Sequence, residues 1–165
     1  MICFDLGHLK KAKTHIDQAI KLSQNNDEAH IEGLSRTFLG RIMEKINSSE
    51  IKTAENCILR GIDTLEKLGT KSLCSNGYFY LGELYADTGQ RAKALENLKK
   101  AESNFQEMGM NYWLARTYAV YADLHRKEGG QSRAKEQLEK AIGILRDLSA
   151  DGWVKKYEKE LAQIS

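Results

Sequence analysis

The chain has 165 residues, 41% of them hydrophobic and 29% charged, with a net charge of +2 spread evenly along it. Such a chain fits one compact domain or a short repeat array with a real core. The even charge excludes the basic stripe of a nucleic-acid binder, no apolar run reaches the ~18 residues of a membrane span, and "MICFDLGHLKK" lacks the order of a signal peptide.

Proline is absent, which removes the strongest helix breaker. Cys3, Cys57 and Cys74 are odd in number and too far apart for a CxxC pair. They read as reduced, packing thiols of a cytoplasmic protein.

The chain opens with "MICFDL", the tail of a helix that Gly7 ends. An amphipathic helix follows, with Ala12 and Ala19 flanking Ile16. The spacing next predicts helices over 27–46 and 51–68, joined by "NSSE", with Asp27 as the N-cap of the first. Two further pairs are predicted over 71–88 and 91–108, then 111–128 and 132–148. A last helix spans about 152–164. Nowhere is there the alternation that marks strands.

These elements repeat. Ala94 and Ala101 recur 40 residues later as Ala134 and Ala141, 40 earlier as Ala54 and Gly61, and a further 42 earlier as Ala12 and Ala19. An apolar residue stands between each pair: Ile16, Ile58, Leu98 and Leu138. Gly7, Gly89 and Gly129 precede three of the four copies, and Trp113 and Trp153 open successive helices. Small residues spaced three or four from a bulky one share its helix face and let a neighbouring backbone come close.

The pattern resembles the tetratricopeptide repeat. The third copy supplies Tyr78, Leu81, Gly82, Tyr85, Ala94, Leu98 and Ala101, and the fourth Tyr118, Tyr121, Ala122, His125, Ala134, Leu138 and Ala141. The second supplies Leu39, Gly40, Met43, Ala54, Ile58 and Gly61. The family's usual period is about 34; these copies need 40 to 42 and lack its closing proline. Longer proline-free units are similar to those of bacterial multidomain signalling proteins, among them transcriptional activators, ATPases and cyclases.

The resemblance implies an all-α, right-handed α-solenoid of about four helical hairpins plus a terminal helix. The whole chain would form one array, with repeats at about 1–24, 27–69, 70–109 and 110–149. Because the register starts and stops within a unit, the chain reads as part of a longer array. In the other reading, the polar "KKYEKE" helix is a solvating cap.

No catalytic constellation emerges. His8, His15, His30 and His125 are scattered, "EGGQSR" lacks the lysine of a phosphate loop, and pairs such as Glu83 and Asp87 fit a solvated helix face. The expectation is a non-enzyme without metal or cofactor.

A partner segment, protein or peptide, would bind in the concave groove of the first helices of each hairpin, the A helices. In register, that groove presents Tyr112, Asn76, Arg116, Phe79, Arg41, Glu83, Asp123 and Arg126. Phe79, Tyr112 and Arg116 are the expected anchors, aromatics and arginine being enriched in hot spots. The alternative for Phe79 and Tyr112 is packing between helices. The positions that clamp a chaperone's terminal carboxylate in the family hold Thr37, Arg41, Tyr80, Arg116 and Val120 here, and only Arg116 suits a clamp. Chaperone tails are therefore disfavoured. The second functional reading is a regulatory, ligand-sensing or self-assembling segment of a larger signalling protein, associating through terminal faces that include Cys3, Phe4 and Trp153.

Overall fold

The structure is a computed structural model, and it describes residues 7–164. Cys3 and Phe4 lie outside the described residues. Among those described, eight α-helices follow one another with no strand: α1 (Leu9–Asn25), α2 (Ala29–Ile46), α3 (Ile51–Lys67), α4 (Lys71–Asp87), α5 (Arg91–Glu107), α6 (Asn111–Lys127), α7 (Gln131–Asp147) and α8 (Asp151–Leu161). None is long and apolar enough to cross a membrane. Each helix packs against its chain neighbour, most extensively within the pairs α2–α3, α4–α5 and α6–α7. The fold is therefore an all-α stack of helical hairpins.

The turns explain this regularity. At the ends of α1, α3, α4, α5, α6 and α7 a residue with positive φ reverses the chain, and the next N–H bonds back to a carbonyl in the last helical turn. Gly89 (φ 74°) and Gly129 (φ 76°) do this after α4 and α6, and Gly69 (φ 67°) and Gly109 (φ 64°) after α3 and α5. The closing bonds include Gln90 N–H to the Tyr85 carbonyl at 2.8 Å and Met110 N–H to that of Phe105 at 2.8 Å.

Asp27 belongs to this series and is not an N-cap. Its φ is 55°, it closes α1 through a Glu28 N–H bond to the Ser23 carbonyl at 2.8 Å, and α2 begins behind Glu28 with no side-chain cap. Ser149 (φ 52°) does the same after α7. Because a side chain in this conformation is strained, Ser149→Gly is expected to stabilise the fold by about 1 kcal/mol, read as a raised urea midpoint.

The second unit is 42 residues long because α2 has 18 residues instead of 17 and is followed by a short 3-10 turn, Ser48–Glu50. There Asn47 is extended and its side chain accepts a hydrogen bond from the Ser49 N–H at 3.1 Å.

The small residues sit where hairpin partners meet. Ala54, Ala94, Ala101, Ala134 and Ala141 are fully buried, together with Ile58, Leu98 and Leu138 between them. Opposite them, Gly40 faces the Ala54 carbonyl and Ile58, while Gly82 faces Leu98. Between units, one polar contact recurs in register with different chemistry. Tyr78 donates to Glu66, Gln106 donates to the Tyr118 hydroxyl at 3.3 Å, and Arg146 pairs with Glu158 at 2.6 Å. An aromatic chain threads the A helices: Phe38 to Tyr80 (centroids 4.9 Å apart), Tyr80 to Trp113 (5.9 Å), Trp113 to Tyr112 (5.5 Å) and Tyr112 to Trp153 (6.1 Å).

Candidate interaction groove

Helices α2, α4, α6 and α8 line two adjoining clefts. The wider, about 710 Å³, is bounded by Arg41, Lys45, Glu83, Arg116, Trp153 and Lys156. The narrower, about 180 Å³, shares Lys45, Glu83 and Lys156 and continues to Asp87, Asp123 and Glu160. Residues four and then three apart on each A helix reach this face, because that spacing keeps them on one side of the helix.

At the centre is a buried charge triad. Glu83 accepts from Arg41 through Nε at 2.7 Å and Nη2 at 3.2 Å, and Arg116 Nη2 approaches the same carboxylate at 3.4 Å. Arg116 also donates to the Tyr112 hydroxyl at 3.3 Å. Its guanidinium carbon lies 4.5 Å from the Trp153 ring and 5.6 Å from that of Phe79. Burial works against its charge, but Glu83 and the tyrosine oxygens outweigh that and hold it firmly protonated. Arg41 and Arg116 are only 5% and 8% exposed.

A second rung runs beside it. Lys45 pairs with Asp87, and Lys127 bonds Asp123 at 3.0 Å and the Ala86 carbonyl at 3.0 Å while lying 3.8 Å from Asp87. Burial pushes the Asp123 carboxyl up, but hydrogen bonds from Lys127 and Arg126 prevail and hold it below its ordinary value. A carboxyl depressed in this way stabilises the fold above its unfolded-state value and loses that contribution as pH falls through the folded one.

Of the residues expected from sequence, Arg41, Glu83, Arg116 and Tyr112 come together, and Asp123 lines the narrower cleft. Arg126 is exposed and pairs with Asp123 on its own helix. Asn76 is buried, and its side-chain oxygen has no hydrogen-bond partner among the described residues.

Phe79 is 0% exposed, packed edge-on against Tyr80 and Trp113, so the expectation of an exposed anchor there is corrected. Its row turns into the hairpin interface, as the fully buried Thr37 does in α2. Phe79→Ala is accordingly expected to cost about 3–5 kcal/mol of stability in a denaturation curve, whatever it does to binding.

For the groove, the sequence reading missed Lys45, Lys127, Lys156, Tyr157 and Glu160, and it set Asp87 on a solvated face and Trp153 on a terminal one. The signal was present: Lys45, Asp87 and Lys127 stand 42 and 40 residues apart with alternating sign. Cys57 is half-buried and Cys74 buried, and burial pushes both thiols up, away from the reactive thiolate. Among the described residues no cluster of His, Cys, Asp and Glu is arranged to hold a metal ion.

A family model described as Tetratricopeptide repeat matches residues 1–26. That segment includes α1, whose Ala12, Ile16 and Ala19 pattern α3, α5 and α7 repeat. The match supports a tetratricopeptide repeat here and, in general, a non-catalytic protein–protein interaction module. No curated protein matches the chain.

Proposed function

We propose that the chain recognises a protein partner by seating an extended segment of it along the face formed by α2, α4, α6 and α8. The observation that carries this is the pair of adjoining clefts, lined only by A helices, with charged side chains around the half-buried aromatic wall of Trp153. Tyr112, Arg116 and Trp153 would supply the fixed contact surface, and Arg41, Lys45, Glu83, Asp123 and Lys156 would set orientation by charge. Asn76 would contribute its side-chain oxygen, which is buried and has no hydrogen-bond partner among the described residues. Arg126 would act at the rim, and Phe79 would act only through the packing beneath Arg116.

Panning a displayed library of random peptides on the full chain tests the reading. Selected peptides are expected to lose about tenfold in affinity on Trp153→Ala or Lys45→Glu. They should keep their affinity on Leu59→Ser, an exposed site on the B-helix side. Binders sensitive to Leu59 and indifferent to Trp153 and Lys45 would move the interaction to the other face.

A further inference from the structure

Most of the charges that line the two clefts are matched within the chain. Arg41 holds both oxygens of Glu83, at 2.7 and 3.2 Å. Lys45 pairs with Asp87, and Lys127 and Arg126 hold Asp123. Two cations of the wider cleft are matched only loosely, Arg116 on α6 and Lys156 on α8.

Arg116 is buried and carries five N–H donors. It makes two long hydrogen bonds among the described residues, 3.3 Å to the Tyr112 hydroxyl and 3.4 Å to a Glu83 oxygen that Arg41 already occupies. Charge-assisted N–H···O bonds usually close to about 2.7–2.9 Å. Lys156 is exposed and reaches the Glu160 carboxylate only at 4.0 Å. Glu160 lines the narrower cleft and not the wider one. The two cations stand 40 residues apart, at one register on neighbouring A helices. They also share a wall: the Arg116 guanidinium carbon lies 4.5 Å and the Lys156 Nζ 4.8 Å from the centre of the Trp153 ring.

We infer that the groove reads one acidic side chain of the partner segment, whose carboxylate bridges Arg116 and Lys156 beside Trp153. A buried guanidinium short of good acceptors gains most from such a group, because little water competes for it. The acid's methylenes cover the indole while its oxygens meet the two cations. A carboxylate brings a single negative charge. A phosphoryl group brings nearly two, close to Glu83 and Glu160, and like-charge repulsion disfavours it. A side chain suits the site better than a chain end, since the wider cleft adjoins the narrower one and lets the segment continue beyond the acid.

The inference rests on the groove reading above, and the selected peptides separate the two. From a displayed library with fused C-termini, Asp or Glu is expected at one fixed position about threefold more often than before selection. A synthetic copy blocked at both ends should lose about tenfold in affinity by calorimetry when that acid is changed to its amide. On Lys156→Gln or Arg116→Met the same change should cost no more than about threefold, because one of the acid's two partners is gone. Lys156 is exposed, and Arg116→Met leaves Glu83 its closer bonds to Arg41, so both variants should fold.

Groove-dependent peptides without an enriched acid overturn the acid site and leave the groove standing. So does an amide change that costs the same in the wild type and both variants. If acids are enriched only at the last position of a parallel library with free C-termini, a chain end occupies the site and the side-chain inference falls. A pool indifferent to Trp153→Ala and Lys45→Glu overturns the groove itself, and the acid site with it. Failure to select any peptide counts against both.

Discussion

Glu83→Gln is expected to destabilise the fold by about 3–5 kcal/mol, measured as a fall in the urea midpoint at constant slope. The amide keeps the shape and can still accept one hydrogen bond from Arg41, so the loss isolates the charge. What remains is two guanidiniums, with side chains 6% and 9% exposed, facing each other without the carboxylate between them. Water cannot replace it cheaply at that burial. The exposed Lys67–Asp63 pair at 2.7 Å is the contrast: Asp63→Asn should cost no more than about 0.5 kcal/mol. Adding Arg116→Met to Glu83→Gln should recover at least about 1 kcal/mol, because it removes a buried guanidinium that has lost its carboxylate. A Glu83→Gln cost below about 1 kcal/mol would mean that the carboxylate does not organise the triad.

The repeat was legible because its cause is local and periodic. Two small residues around a bulky one, recurring at 40 or 42, mark the helix face that meets its hairpin partner, and Ala94, Leu98 and Ala101 are indeed fully buried. The turn glycines were legible for the same reason. Asp27 misled because acidic residues before an apolar-periodic run usually cap a helix, whereas here the left-handed turn closing α1 claims the position. The groove was only half legible. Register put Arg41, Glu83 and Arg116 on one face, where the structure brings them into contact, but depth depends on how each A helix is rotated against its neighbours. That rotation is a tertiary quantity, and it turns Phe79 inward while leaving Tyr80 to stack under Arg41 at 4.9 Å. The wall formed by α8 depends on Trp153 reaching across to Arg116 and Tyr112, a contact between helices that no single-helix pattern encodes.

Gly61→Ala is expected to cost about 2–3 kcal/mol despite the better helix propensity of alanine. A Cβ at Gly61 would stand 2.6 Å from the Gly33 carbonyl oxygen and 2.9 Å from the Thr37 nitrogen, so the obstacle is the backbone of α2. Relief requires α2 and α3 to move apart, and that would open the contact that also buries Leu65 and Thr37. At the same register α5 and α7 carry Ala101 and Ala141, opposite Ser75 and Ala115, so alanine is not excluded from the position in general. Two other glycines set the scale. At Gly82 the added methyl would press on the Leu98 side chain, at 2.7 Å, and stay 3.4 Å from the Leu98 backbone nitrogen, an ordinary contact, so Gly82→Ala should cost less than Gly61→Ala. At Gly143, inside α7, nothing lies within 4 Å, and Gly143→Ala should stabilise by about 0.5–1 kcal/mol through helix propensity alone. In thermal melts this corresponds to a Tm lowered by roughly 5–10 °C for Gly61→Ala and raised by about 2–3 °C for Gly143→Ala. If Gly61→Ala cost no more than Gly82→Ala, the helices would have room to slide, and backbone contact could not be what fixes the angle between α2 and α3.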